Sequence, residues 1–135
     1  MKKKLNCVLL VDDDDGTNFI NRKIIEKAGI AEYIHTSLNG KEAIDYLSKV
    51  SKEGIYPQPD LILLDINMPV MDGWEFVEVY GNLKIGQKGK IIIVMLTTSL
   101  NPDDKKKADH YKEISDFEFK PLTIKKLEEI IEKHF

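Results

Sequence analysis

The hydrophobic positions of the chain follow two alternating patterns. Uninterrupted apolar runs at 61–64 and 91–96 are typical of strands that are buried on both faces of a parallel sheet. Between the apolar runs, hydrophobic residues recur every three or four positions, as they do on the inward face of a helix. Five such strands alternate with five helices, which predicts an α/β fold: a doubly wound, five-stranded parallel sheet with five helices and right-handed crossovers.

Turn and capping residues divide the chain into these elements. Asp14 or Asp15 is suited to cap the first helix and Gly29 to end it, and Thr123 is suited to cap the last helix. The fourth helix is nearly all polar, so we expect it to be loosely attached through Ala108 and Tyr111. We predict strands at 5–11, 32–37, 61–64, 91–96 and 115–119, a second helix from 39–40 to about 50, a third from about 73, and surface connections at 51–60 and 81–90.

Composition indicates one soluble domain over residues 1–135, without an output domain. The chain is 42% hydrophobic and 32% charged, and its net charge of −3 argues against direct DNA binding, which needs a basic face. No apolar run is long enough to cross a membrane, and the first strand contains Asn6 and ends before Asp12, unlike a signal peptide. The lone Cys7 cannot form an internal disulfide. We therefore expect a cytoplasmic protein.

Chemically useful side chains follow four of the predicted strands. Asp12 and Asp13 follow the first strand, and Asp65 ends the third. Thr97 follows the fourth strand and Lys120 follows the fifth. Because ligands of open α/β sheets bind at the carboxyl ends of the strands, we expect these five residues to share one site.

Such a site requires a cation. Two carboxylates about 4 Å apart repel each other by roughly 4 kcal/mol near a protein surface. Oxygen ligands without nearby Cys or His favour Mg²⁺. Asp65 would then be placed to attack a phosphoryl group, while Lys120 and Thr97 contact its other oxygens.

The same residues resemble a known family. The pattern is Asp-Asp after the first strand, Asp65-x-x-Met-Pro-x-x-Asp-Gly73, Thr97 after the fourth strand, and Lys120-Pro121 after the fifth. It resembles the receiver domains of bacterial two-component response regulators, of the single-domain chemotaxis type, over nearly the whole chain. The resemblance implies a flavodoxin-like sheet with strand order 2-1-3-4-5.

The resemblance also implies roles for individual residues. Asp65 is expected to be the phosphoacceptor, and Lys120 is expected to bind the phosphoryl group. Thr97 is the expected switch hydroxyl and Phe117 the expected switch aromatic. The expected magnesium ligands are Asp13, Asp65 and the backbone carbonyl of Asn67, with Asp12 assisting through water.

Partners follow from the same resemblance. The phosphoryl donor would be a phosphohistidine on a sensor histidine kinase or a histidine phosphotransfer protein. Asn18, Phe19 and Ile20 on the first helix are expected to be able to receive that partner, although packing of the helix explains part of this face equally well. The surface from Asn101 through Phe119 to the last helix is the expected face for a downstream protein target or a homodimer. The protein would catalyse only its own phosphorylation and dephosphorylation.

Two features depart from the commonest receiver pattern. Phe117 stands where many members carry Tyr, so a signal that needs a phenolic hydroxyl is absent. The segment 51–59 is longer than in minimal receivers. In this length it is similar to the corresponding segment of the small regulators that serve phytochrome-like kinases.

Two other classes of protein share part of this pattern. A haloacid-dehalogenase-type phosphatase also uses an aspartate after a strand with Mg²⁺, but it needs a second carboxylate two residues later, where this chain has Asn67. A flavin-binding module of flavodoxin type shares the sheet order, but the four aspartates at 12–15 would repel the flavin phosphate.

Overall fold

The fold is described from a computed structural model, which describes residues 4–49, 52, 58–83 and 91–135. Within these residues, five strands alternate with five helices. The strands are β1 (Leu5–Val11), β2 (Ala31–Ser37), β3 (Leu61–Leu64), β4 (Ile92–Thr97) and β5 (Ile114–Phe119), and the helices are α1 (Asp15–Ala28), α2 (Gly40–Leu47), α3 (Gly73–Gly81), α4 (Pro102–Asp109) and α5 (Ile124–His134).

The strands form one parallel sheet in the order β2-β1-β3-β4-β5. This is the predicted order, and the predicted fold class is confirmed. The order in which strands are added to the sheet changes direction between β1 and β3, because β2 lies on one side of this pair and β4 and β5 lie on the other. The strands β1 and β3 are neighbours, with Val11 opposite Leu64. Their carboxyl ends therefore open at the same level, where a crevice forms in folds of this kind.

Helices cover both faces of the sheet, so each face has its own apolar core. One core includes Leu9, Ile62 and Met95 from the strands and lies under α2, α3 and α4. The other includes Leu10 and Leu63 and lies under α1 and α5. Because neighbouring residues of a strand point to opposite faces, β3 must be apolar at every position. Its four residues are all buried.

The helix ends agree closely with the capping residues in the sequence. The side chain of Asp14 accepts a hydrogen bond from the backbone N–H of Thr17, and Thr123 caps α5 in the same way. Gly29 ends α1 with φ 65°, a left-handed conformation that glycine adopts without steric cost. The caps thus set where α1 and α5 begin and where α1 ends.

A few element boundaries differ from the prediction. Helix α2 ends at Leu47, earlier than the predicted end near residue 50, which lies outside the described residues. Thr97 is the last residue of β4 rather than the residue after it. The predicted connections at 51–60 and 81–90 fall largely outside the part of the chain that the structure describes.

Helix α4 is the most polar helix, as its sequence indicates, and only Ala108 of it is buried. Its neighbour Tyr111 stacks on Trp74 of α3, with 5.8 Å between the ring centroids. Lys107 lies over the same indole at 4.8 Å from its centroid. Tyr111 also donates a hydrogen bond to Glu78 at 3.0 Å. Helix α4 is therefore held to α3 by side chains at its carboxyl end.

Candidate functional site

The turn after β1 places Asp12 at the carboxyl edge of the sheet. Its backbone N–H donates to the carbonyl of Ser37 at 3.1 Å, which continues the pairing of β1 with β2. Its Oδ1 accepts a hydrogen bond from the N–H of Asp14 at 2.9 Å. Asp12 is 5% exposed, whereas Asp13 is exposed. One carboxylate of the pair is thus fixed inside the turn and the other faces solvent.

Asp65 follows β3 directly and lies beside the acidic turn. Its N–H donates to the carbonyl of Val11 at 2.9 Å, so the third strand pairs with β1 up to the position of the carboxylate. Its Oδ1 accepts from the N–H of Ile66 at 2.9 Å, and the residue is 9% exposed. Carboxylate oxygens of Asp12, Asp13 and Asp65 lie within 4.8 Å of one another.

Lys120 brings a positive charge to this cluster from the end of β5. Its Nζ lies 2.6 Å from Oδ2 of Asp12 and 3.5 Å from Oδ1 of Asp65. The backbone also fixes its position, because its N–H donates to the carbonyl of Thr97 at 2.8 Å. Lys120 therefore joins the carboxyl end of β5 to the carboxyl ends of β1, β3 and β4.

The charges of the cluster are unbalanced. Three carboxylates face one ammonium, and burial raises the pKa of Asp65, with Asp12 adding to the rise and Lys120 opposing it. Burial alone would lower the pKa of Lys120, but the hydrogen bond to Asp12 and the charge of Asp65 outweigh it and raise the pKa. A hard divalent cation would supply the missing positive charge, and the oxygen-only donor set fits Mg²⁺.

The loop after Asp65 passes so close to α3 that only glycine fits at the first position of this helix. A Cβ at Gly73 would lie 2.4 Å from the carbonyl oxygen of Asp65, and the N–H of Gly73 donates to Ile66 at 2.7 Å. Asp72 and Glu75 form a capping box at the same helix end. The Asp-Gly pair of the motif thus packs α3 directly against the backbone of Asp65.

Thr97 is buried, with 1% exposure, at the end of β4. Its Oγ1 accepts a hydrogen bond from the N–H of Ser99 at 3.0 Å. The hydroxyl of Ser99 in turn donates to Asp104 in the first turn of α4. The position of the Thr97 hydroxyl is consequently linked to α4 through the loop between them.

The aromatic residues of β5 lie on the side of α4. Phe117 packs against the core under α2, α3 and α4. Its ring meets that of Phe119 edge to face, with 5.7 Å between centroids, and Phe119 is 42% exposed. Asn67 is exposed in the loop after β3.

Two large apolar side chains are exposed on the outer surface of α1. Phe19 and Ile20 are 60% and 57% exposed, but Asn18 is only 5% exposed. The prediction that Asn18 belongs to a partner-binding surface is therefore wrong, because α1 turns this residue inward. A cavity of about 310 Å³, lined in part by Ile20, Asn21 and Lys120, lies between α1 and the loops after β4 and β5.

Asn18 contacts the acidic turn, a role that sequence reasoning missed. Its Nδ2 donates to the backbone carbonyl of Asp12 at 2.8 Å. Its Oδ1 is buried and has no hydrogen-bond partner among the residues that the structure describes. The available signal was spacing, since Asn18, Asn21 and Ile25 are three and four residues apart and share the inward face.

With this geometry in hand, comparison with known proteins identifies the family. The model for the response regulator receiver domain matches residues 8–132. The chain belongs to the response regulator receiver domain family, whose members act in two-component signalling.

Individual relatives agree with this assignment. The chain is 38% identical over 126 residues to two-component response regulator 24 of Arabidopsis thaliana, covering 93% of this chain and 81% of that protein. It is similar to the crystal structure of a two-component response regulator from Cytophaga hutchinsonii, with 35% identity, a TM-score of 0.85 and 97% of each chain covered. It is also similar to the bacteriophytochrome response regulator AtBRR, with 25% identity, a TM-score of 0.79, and 97% and 93% covered. None of the helices in the described ranges has the length and apolar character of a membrane span.

Proposed function

We propose that Asp65 accepts a phosphoryl group from a phosphohistidine in a Mg²⁺-dependent reaction, and that the phosphorylated chain changes its partner-binding face. The observation that carries the proposal is the cluster itself: three carboxylates within 4.8 Å of one another, with the Lys120 ammonium 3.5 Å from Asp65. Membership of the receiver family supports the same function.

Asp13, Asp65 and the backbone carbonyl of Asn67 would hold the Mg²⁺, with Asp12 assisting through water. The donor set fits the ion, because all the side-chain donors are carboxylates. The negative charge of these three carboxylates exceeds the positive charge of the Lys120 ammonium beside them. The bound ion would neutralise both these carboxylates and the oxygens of the incoming phosphoryl group.

The chain's own residues position the group that reacts. The hydrogen bond from Ile66 orients the carboxylate of Asp65, and Gly73 fixes the loop behind it. As the P–N bond of the phosphohistidine breaks, an oxygen of Asp65 forms a bond to phosphorus and the imidazole nitrogen leaves with the bonding pair. Asn67 offers an amide where a phosphatase would need a base, so the acyl phosphate would persist.

Lys120 would bind an oxygen of the transferred group. Its closest partner is Asp12, at 2.6 Å. Positive charge held at the acidic turn would weaken this pairing, so that the ammonium could turn toward the phosphoryl group. A charge-assisted hydrogen bond of this kind is short and strong.

Thr97 and Phe117 would convert the added charge into a change of shape. A phosphoryl group adds about −1.5 to −2 charges. Movement of the Thr97 hydroxyl toward it would disturb the bond from Ser99 and, through Ser99 and Asp104, the start of α4. Phe117 would then turn into the space that Thr97 leaves. The face formed by α4, β5 and α5 would present this change to a target or a second copy of the chain.

The donor would be a sensor histidine kinase or a histidine phosphotransfer protein. Phe19 and Ile20, exposed beside the cavity that Lys120 lines, offer an apolar surface for it. The similarity to a bacteriophytochrome response regulator makes a phytochrome-type kinase the first donor to test.

The test is intact-mass measurement after incubation with acetyl phosphate. With Mg²⁺, the wild-type protein should gain the mass of one phosphoryl group, and this gain should disappear when EDTA is added. Asp65→Asn should gain none, whereas the matched control Asp60→Asn, which changes a carboxylate at the opposite end of β3, should be labelled like wild type.

Two results would overturn the proposal. One is wild-type protein that stays unlabelled in Mg²⁺ concentrations at which the ion is bound. The other is labelling of Asp65→Asn to the same extent as wild type, since the phosphoacceptor would then be another residue.

A further inference from the structure

Asn18 is buried in α1 at a point where a helix that packs on a sheet normally carries an apolar residue. Its amide nitrogen donates to the backbone carbonyl of Asp12 at 2.8 Å. The other end of the same amide, Oδ1, has no partner within the described part of the chain. An unpaired buried acceptor destabilises the folded state, so an apolar side chain would be expected here unless the donor is needed.

We propose that Asn18 is a positioning residue for the acidic turn, and that it holds Asp12 where its carboxylate can pair with Lys120 and serve the metal site. This inference rests on the proposed function only in taking Mg²⁺ as the metal.

The hydrogen bonds around Asp12 explain why the carbonyl matters. The N–H of Asp12 is bound by Ser37, and its carboxylate is bound by Asp14 and Lys120. The carbonyl is the remaining polar group of the residue, and Asn18 holds it from the side of α1. Together these hydrogen bonds restrain both the peptide and the carboxylate of Asp12.

The same arrangement joins the turn to the helix as one unit. The backbone N–H of Asn18 donates to the carbonyl of Asp14 at 3.0 Å, while its side chain reaches Asp12. Asn18 therefore contacts the turn at two points, on either side of the exposed Asp13. A partner that displaces α1 would displace Asp12 and Asp13 with it.

The experiment compares Asn18→Leu and Asn18→Ser with wild type and with Ile25→Val. Ile25 is the matched control because it is buried on the inward face of the same helix, further from the acidic turn. Three quantities are measured: the Mg²⁺ dissociation constant by calorimetry, the rate of phosphoryl uptake against Mg²⁺ concentration, and amide hydrogen exchange of Asp14 in metal-free protein. Urea unfolding shows whether each variant is folded.

Both Asn18 variants should bind Mg²⁺ about tenfold more weakly, as is usual when a group that supports a metal ligand is removed. Their phosphoryl uptake should return to the wild-type rate at saturating Mg²⁺. The N–H of Asp14, which binds the carboxylate of Asp12, should exchange faster in both. Ile25→Val should match wild type in all three measurements.

Wild-type Mg²⁺ affinity and wild-type exchange in both folded Asn18 variants would overturn the inference. Equal losses in Ile25→Val would also overturn it, because they would show general loosening of α1. If Asn18→Leu fails to fold, Asn18→Ser decides. If wild type takes up neither Mg²⁺ nor phosphoryl groups, the proposed function fails, and the exchange rate of Asp14 still decides the role of Asn18.

Discussion

Lys120 and Asp12 are 108 residues apart in the chain, yet their Nζ and Oδ2 atoms lie 2.6 Å apart. Both side chains are largely buried, with 15% and 7% of their surfaces exposed. The pair therefore joins β5 to the turn after β1. Lys120 also provides the cluster with a compensating positive charge.

Lys120→Met should make the metal-free protein less stable. The substitution leaves the carboxylates of Asp12 and Asp65 without their cation, and loss of one partner from a buried pair costs about 3 kcal/mol. Urea unfolding at neutral pH measures this loss. Addition of Mg²⁺ should recover most of it, because the ion replaces the missing charge. A loss that Mg²⁺ leaves unchanged would show that Lys120 acts mainly by packing.

Asp65→Asn should make the metal-free protein more stable at pH 7. Burial, with help from Asp12, raises the folded-state pKa of Asp65 above its ordinary 3.8. The folded state therefore favours the protonated carboxyl, so this group's contribution to stability is largest below 3.8 and falls as the pH rises through the folded-state pKa. The uncharged amide in the variant Asp65→Asn avoids this loss of stability, which is about 1.4 kcal/mol for each unit by which the pKa is raised.

The pH dependence and the effect of Mg²⁺ check this explanation. The difference in the free energy of unfolding between Asp65→Asn and wild type, measured in urea, should become smaller as the pH is lowered from 7 toward 4. Saturating Mg²⁺ should stabilise wild type more than the variant. An advantage that is the same at every pH would point to packing rather than charge.

The elements and the clustering of Asp12, Asp13, Asp65 and Lys120 could be predicted from the sequence because both depend on local patterns. Apolar runs mark β3 and β4, and Asp14, Gly29 and Thr123 mark helix ends. Parallel strands then carry the residues at their carboxyl ends to one edge, whatever the details of packing. The positions of Asp12 and Lys120 relative to each other follow from this topology.

Contacts that depend on packing were not accessible in the same way. A polar residue such as Asn18 is expected on a surface, but the rotation of α1 on the sheet turns it inward. The choice of Asp12 over Asp65 as the nearer partner of Lys120 depends on a difference of less than 1 Å between two distances. Distances of this kind are set by the whole fold and not by the spacing of residues in the chain.

Gly73→Ala should destabilise the protein and impair phosphoryl uptake. The new Cβ would lie 2.4 Å from the carbonyl oxygen of Asp65, so the loop and its carboxylate must move. Overpacking of this kind costs about 1–3 kcal/mol. Urea unfolding and the rate of labelling by acetyl phosphate measure the two effects.

Gly16→Ala is the matched control for Gly73→Ala. In α1 the nearest atom to a new Cβ at Gly16 is 3.7 Å away, an ordinary contact. Alanine should therefore leave the labelling rate unchanged and raise stability by up to about 1 kcal/mol, since it favours the helix. If Gly73→Ala were as stable and as active as Gly16→Ala, the close approach of α3 to Asp65 would have no functional consequence.

Trp74 should report movement of α4 when Asp65 is phosphorylated. It is the only tryptophan of the chain, so its fluorescence comes from one place. Its ring contacts Tyr111 and Lys107, at the carboxyl end of α4, and any displacement of that helix changes both contacts. The emission of wild-type protein should therefore change in step with labelling by acetyl phosphate and Mg²⁺.

Thr97→Ala should accept the phosphoryl group, as measured by mass, but show a smaller change in emission, because it lacks the hydroxyl that links the site to α4. Complete labelling of wild type with unchanged emission would mean that α4 keeps its position against α3 and that the signal leaves the site by another surface.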